Sequence, residues 1–223
     1  DLIIRDIFRE MPKRLMIILE KTQHELSNSL LLWKKSEYPK EIDWETEYKK
    51  ACDGNSEVQY LLGCQCVDGT AVEQNYEYAV DWFRLAAENG NFKAYSKLAL
   101  LYFCDSPLQD KTQALRYAKQ AADSEDPLMQ YVFGVFSATL NNEQDTACHY
   151  LLKAAKNGSA NAQLLLGKIL WDIPEDDEFD SLAKRGGLEY LKNAADQGSW
   201  EASYIYGYSK YSMIEVKADW AEA

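Results

Sequence analysis

Two histidines, five cysteines and one dense acidic run are the residues of this chain whose types could carry chemistry. His24 and His149 lie far apart, and neither opens an H-E-x-x-H pair that would hold a metal. Both read as surface or satisfied side chains. Cys64 and Cys66 are two residues apart, which on a helix is a turn of about 200° and directs the thiols away from any common metal. The run Asp172-Ile173-Pro174-Glu175-Asp176-Asp177-Glu178-Phe179-Asp180 lacks the glycine and the terminal glutamate of a calcium loop. It reads as a solvated connection, with Glu175, Asp176, Asp177 and Glu178 as a secondary docking patch for a basic partner. No glycine-rich phosphate loop and no G-x-S-x-G elbow occurs. The residue types thus point to no catalytic centre, no metal and no cofactor.

Charge narrows the partners. With 36 acids against 24 bases the chain carries −12, which argues against nucleic acid and anionic membranes and for a basic protein. No apolar run approaches the roughly 18 residues of a membrane span. The apolar stretches at Leu2–Ile4 and Leu15–Leu19 are interrupted by Arg5, Asp6, Arg9, Glu10 and Lys13, unlike a signal peptide. An odd number of cysteines at irregular spacing favours a reducing compartment, the cytoplasm. The alternative is a periplasmic or secreted protein whose leader was removed ahead of Asp1.

The elements that position these residues announce themselves by recurrence. Ala86-Ala87 returns as Ala121-Ala122, Ala154-Ala155 and Ala194-Ala195, at steps of 35, 33 and 40. A small residue after an apolar stretch keeps nearly the same time, at Gly63, Ala99, Gly134, Gly167 and Gly207. Two markers with one drifting period mean stacked helix pairs. In residues 56–91 the first helix carries Val58, Leu62, Gly63 and Cys66 on one face, and Gly69 signals its end. The second helix buries Ala79, Trp82 or Phe83, and Ala86, and ends at Gly90. One aromatic per unit, at Trp82, Tyr117, Tyr150 and Tyr190, is expected to fill the wedge between the two helices. Residues 1–36 fit no repeat and read as amphipathic helices, broken at Pro12, that cap the open end. Trp44, Tyr48 and Ala51 resemble the second helix of a degenerate earlier unit. Residues 200–223 begin a fifth unit, with Val216 through Ala223 in the register of a second helix.

On a helical wheel, Tyr60, Cys64 and Val67 point away from the packing face of the first helix. The same positions in later units are Ser96, Leu100 and Phe103; Tyr131, Val135 and Ala138; Leu164, Lys168 and Trp171; and Tyr204, Tyr208 and Tyr211. A solvated face would be polar, yet only Ser96 and Lys168 are plainly hydrophilic. Exposed apolar stripes of this kind mark interaction sites, and Tyr and Trp dominate hot spots. The stripe therefore predicts a protein-binding groove, which resemblance to related solenoids, whose first helices line the concave side, would make concave. The competing expectation is that tight packing of adjacent first helices, or the N-terminal segment folded back, covers it.

Residues 56–91 are similar to the frame A-x-Y-x-L-G…G-x-V…A-x-x-W…A-A-x-x-G of the Sel-one-like repeat (SLR), a branch of the tetratricopeptide-like α-solenoids, through Tyr60, Leu62, Gly63, Gly69, Ala79, Trp82, Ala86, Ala87 and Gly90. Residues 92–126, 127–159 and 160–199 match it with departures: Ala99 replaces a helix glycine, Asp105 a loop glycine, and an acidic insertion lengthens the fourth unit. The resemblance implies an all-α, right-handed superhelical solenoid of helix-turn-helix repeats over 56–223, partial in 200–223, behind a helical cap over 1–55. It implies a non-catalytic adaptor or scaffold that binds a protein. Bacterial relatives include virulence-associated factors and immunity proteins that neutralise a toxin, a role suited to an acidic solenoid. Hydrolase activity has been proposed for some relatives, but no nucleophile–base pair is evident here. Self-association through the C-terminal half-repeat is a further expectation.

Overall fold

The computed structural model describes residues 4–5, 8, 16–23, 44–69, 72–103, 107–141, 143–172 and 178–222. Every regular element among them is an α-helix. In chain order these are α1 (Trp44–Cys52), α2 (Ser56–Asp68), α3 (Tyr76–Glu88), α4 (Lys93–Phe103), α5 (Lys111–Asp123), α6 (Pro127–Asn141), α7 (Gln144–Lys156), α8 (Ala160–Trp171), α9 (Glu178–Asp196) and α10 (Trp200–Glu222). The pairs α2–α3, α4–α5, α6–α7 and α8–α9 reproduce the four predicted repeats, and the fold class is the all-α solenoid class. By compactness the chain divides into Lys21–Phe133 and a second unit of Asp1–Glu20 with Gly134–Ala223, the division falling within α6. Ile4, Phe8 and Leu19 are buried and belong to the second unit. In the first unit α1 packs on α2 through Ala51, Val58 and Leu62, with Trp82 of α3 against them.

The Ala-Ala marker is a helix-ending device. The Asn91 N–H donates to the Ala86 carbonyl at 2.8 Å and the Gly90 N–H to that of Ala87 at 3.0 Å. Ser159 and Gly158 repeat this on Ala154 and Ala155, as do Ser199 and Gly198 on Ala194 and Ala195. Such closure needs a left-handed residue, which is why glycine stands there, at φ +92°, +87° and +91°. The following serine then caps the next helix: Ser159 Oγ accepts from the Ala162 N–H, and Ser199 Oγ from the Ala202 N–H, both at 3.3 Å. In the second repeat Glu125 occupies the glycine position at φ +67°, a conformation that costs a side-chain-bearing residue roughly 1–2 kcal/mol.

The helix glycines mark the closest approach of the two helices in a pair. A Cβ on Gly63 would lie 2.7 Å from the Phe83 ring, on Gly134 2.8 Å from Leu151 Cγ, and on Gly167 2.6 Å from Leu191 Cγ. Phe83, Leu151 and Leu191 are fully buried. This corrects the expectation that Trp82, Tyr150 and Tyr190 fill the wedge. The residue after each of them does, because one step of about 100° aims that side chain straight at the glycine. Tyr117 alone among the four rings is buried, stacked on Tyr102 at 5.7 Å, while Arg84 donates to both hydroxyls.

A buried glutamine ties consecutive pairs together. Gln59 Nε2 donates to the Ala51 carbonyl at 2.8 Å, Gln130 to Ala122 at 3.4 Å and Gln163 to Ala155 at 3.0 Å. Each acceptor belongs to the last turn of the preceding helix, whose carbonyls have no partner within it. On the opposite side, Gln59 Oε1 accepts from Asn89 and Gln163 Oε1 from Gln197, each at the end of the second helix of its own pair.

The fifth unit departs from its expected shape. Trp200–Glu222 is one continuous 23-residue helix, with no break before Val216. The first repeat ends its corresponding helix at Gly69, φ +64°, whereas residues 211–217 hold no glycine or proline to stop theirs.

Urea denaturation tests both glycine roles. Gly134→Ala is expected to lower stability by about 1–3 kcal/mol through overpacking against Leu151. Gly207→Ala, whose Cβ would meet nothing within 4 Å, is expected to raise it by about 0.5–1 kcal/mol through helix propensity. In the same assay Glu125→Gly is expected to stabilise by about 1 kcal/mol, by relieving the left-handed side chain.

Candidate functional site

The predicted stripe divides into a covered part and a bare part. Leu100, Phe103, Tyr131, Val135 and Ala138 are buried, as is Cys64, so the groove expected along these residues does not exist as an open surface. Tyr60 is half-buried and tilts onto Phe83 at 5.7 Å between ring centroids. Leu164 and Trp171 of α8 pack against the cluster of Leu188, Leu191, Ala194 and Ala202. Lys168 Nζ pairs with Glu201 of α10 at 2.5 Å. On α8 the cover comes in part from α10, through the Lys168–Glu201 pair and through Ala202 in the cluster that Leu164 and Trp171 join.

The last first helix is the exception. On α10, Tyr204 is 70% exposed, Tyr208 62% and Tyr211 60%, and Trp200 reaches 79%. Trp200, Tyr204, Gly207, Tyr208 and Tyr211 fall within about 100° of one another on the wheel. Gly207 has open space where a Cβ would stand. The opposite face of α10 is occupied, with Ala202 and Ser209 buried and Ile205 and Tyr206 against the α9 cluster. Sequence reasoning found the three tyrosines but missed Trp200. Its signal was present, four residues ahead of Tyr204 on the same face.

On the packed side of α10 two cations lie over rings, Lys184 over Trp171 at 5.5 Å and Lys210 over Tyr206 at 5.6 Å. The acidic run contributes less that is describable: Glu175, Asp176 and Asp177 lie outside the described residues, and Glu178 opens α9. His149 is exposed and edge-on to Tyr150 at 5.2 Å, while His24 and Cys104 lie outside the described residues. Cys64, Cys66 and Cys148 are buried and in no disulfide, and Cys52, likewise in none, is exposed. Among the described residues no cluster of His, Cys, Asp or Glu could hold a metal ion, and no helix is long and apolar enough to cross a membrane.

One buried charge stands apart from the bare face. Desolvation lowers the Lys97 ammonium on α4 to about 8, opposed in part by Cys64 and Asp68 of α2. Burial likewise pushes the Tyr60 hydroxyl upward, reinforced by Cys64.

Comparison with known proteins agrees with this architecture. The Sel1 repeat model matches residues 56–91, 93–126, 134–159 and 184–199. A Schizosaccharomyces pombe protein, assigned as an ERAD-associated E3 ubiquitin-protein ligase component, is 25% identical over 124 residues, covering 55% of this chain and 17% of that protein. A protective antigen of uropathogenic Escherichia coli strains, with an SLR fold, superposes at TM-score 0.64 and 26% identity over 75% of this chain and 36% of its own. A Sel1 repeat protein from Oxalobacter formigenes gives TM-score 0.57 and 28% identity over 71% and 46% of the two chains. The chain thus spans less than half the length of each of these relatives.

The Lys97 environment has a measurable pH signature. Its folded value near 8 lies below the unfolded value of about 10.4, so between these the unfolded chain holds more protons and stability rises with pH. Unfolding free energies of the native chain and of Lys97→Met are expected to differ by an amount that changes between pH 7.5 and 10, the native chain gaining on the variant. Parallel pH curves would contradict the buried ammonium.

Proposed function

This chain belongs to the Sel1 repeat family, whose repeats are protein-interaction modules, and we propose that it binds a basic protein partner on the bare face of α10. The observation that carries this reading is the exposure of Trp200, Tyr204 and Tyr208 around Gly207, the last of them at a position that is buried at Cys64, Leu100 and Val135. Exposed aromatic clusters of this kind supply large contact area at small entropic cost and recur at interface hot spots. The charge of −12 favours a basic partner by long-range attraction and disfavours nucleic acid. The role is that of an adaptor or scaffold, in which the repeats set the position of a docking surface and carry out no reaction themselves.

The test is stoichiometric capture of a partner from the native source, followed by titration of that partner against the native chain and a Tyr204→Glu/Tyr208→Glu variant. Both positions are exposed, so the variant is expected to keep its circular dichroism spectrum and to melt within about 2 °C of the native chain. Partner affinity is expected to fall at least about tenfold, as for two truncated hot-spot residues. A partner held equally well by the variant would move the site off α10.

A further inference from the structure

Arg84 makes no ion pair among the described residues, although Asp81 and Glu88 stand one turn before and after it on α3. Its guanidinium instead donates from Nε to the Tyr117 hydroxyl at 3.3 Å and from Nη2 to the Tyr102 hydroxyl at 3.0 Å. The two rings stack 5.7 Å apart and only 8° from parallel, so α4 and α5 hold both hydroxyls against one cation. The tyrosines are buried, at 9% and 5% exposure, while Arg84 is exposed. The repeat frame does not require this arrangement. Lys119, Leu152 and Lys192 stand at the position of Arg84, and Cys66, Ser137 and Leu170 at that of Tyr102.

The cluster has donors to spare and lacks an acceptor. A guanidinium carries five N–H groups and accepts nothing, and a phenol carries one O–H. Two N–H groups are engaged, and the hydroxyl oxygens accept them. Each hydroxyl keeps its own hydrogen, for which no described residue offers an acceptor. The local charge has the matching sign. α4 and α5 together carry five basic residues, Lys93, Lys97, Lys111, Arg116 and Lys119, against the single acid Asp123, in a chain of net −12. Arg116 lies over the Tyr117 ring at 5.1 Å.

We infer that Arg84, Tyr102 and Tyr117 form a binding site for the phosphoryl group of a phosphate monoester, with Arg116 beside it as a second cation. Three terminal oxygens and close to two negative charges accept from several donors at once, and the planar guanidinium suits phosphate geometry. A carboxylate brings two oxygens and one charge, and leaves more of these donors unpaired. The site belongs to α3, α4 and α5 and is separate from the face of α10.

The probes are phenyl phosphate, inorganic phosphate and acetate, titrated calorimetrically into the full chain at pH 8 and low salt. Phenyl phosphate is expected to bind saturably at one per chain, and less tightly as salt rises. Tyr102→Phe and Tyr117→Phe keep the stacked rings and remove one O–H each. Each is expected to weaken binding roughly fivefold, the size of one lost hydrogen bond. Arg84→Gln is expected to weaken it at least about tenfold, and Lys153→Gln, the same loss of charge on α7, by less than about twofold. Phenyl phosphate is also expected to raise the melting temperature of the native chain and not that of Arg84→Gln. Should Arg84→Gln lose its helical circular dichroism, the two phenylalanine variants decide the matter. Equal losses in Arg84→Gln and Lys153→Gln mean diffuse attraction and overturn the inference. Binding undiminished by both phenylalanine variants, or no saturable binding of phenyl phosphate, overturns it as well. Acetate bound as tightly as phenyl phosphate overturns the phosphoryl assignment, and inorganic phosphate bound more tightly than phenyl phosphate overturns the ester.

Discussion

Two helix backbones in this protein can touch only where a side chain is missing. At Gly63, Gly134 and Gly167 the absent Cβ makes room for a phenyl or isobutyl group that is itself fully buried, and the rest of each pair is arranged around that contact. The approach lets Ala79, Ala86, Ala147 and Ala154 lie buried on the second helices, where larger residues would hold the pair apart. Interiors packed this densely tolerate little change in volume. The glycine costs helix propensity of about 1 kcal/mol, which the buried contact offsets.

The same close pitch decides how one pair meets the next. The carbonyls of Ala51, Ala122 and Ala155 each accept from the backbone N–H of Gly54, Glu125 and Gly158 and carry a second lone pair. Gln59, Gln130 and Gln163 donate across to that second lone pair, and Gln59 and Gln163 also take a hydrogen bond back from the end of their own pair. A polar side chain thus sets the register of apolar surfaces, which by themselves could slide. Tyr95 and Ser203 stand at the corresponding positions of the second and fifth units, so this clamp is not carried by every repeat.

Exposed and packed aromatics occupy one set of positions. The stripe of Tyr60, Leu100, Tyr131 and Leu164 is continuous in sequence with Tyr204 and Tyr208, and the residue types scarcely differ. What separates them is whether a following helix lies over them. Lys168, placed on the stripe as a binding residue, shows the point: its partner is Glu201 of this chain. The apolar stripe therefore has one composition and two fates, and the exposed aromatic face of α10 is the last member of a series whose earlier members are core.

The fold was legible because its signals are local and repeated. Ala-Ala followed by glycine encodes a helix end through backbone closure, and a glycine inside an apolar helix encodes close approach; both act within one or two turns of their own position. Family and helical class follow from these alone. Their limit appears at α10, where no glycine halts the helix and Trp200–Glu222 runs unbroken through the start expected for a second helix at Val216. Which tyrosines are surface and which are core was not legible, because wheel geometry places a side chain relative to its own helix and not relative to the next one. Exposure is a property of the neighbour, and the neighbour is supplied only by tertiary packing. The wedge residues were misassigned for a related reason: Tyr150 and Leu151 are equally apolar in pattern, and only the angle at which two helices cross decides that Leu151 meets Gly134.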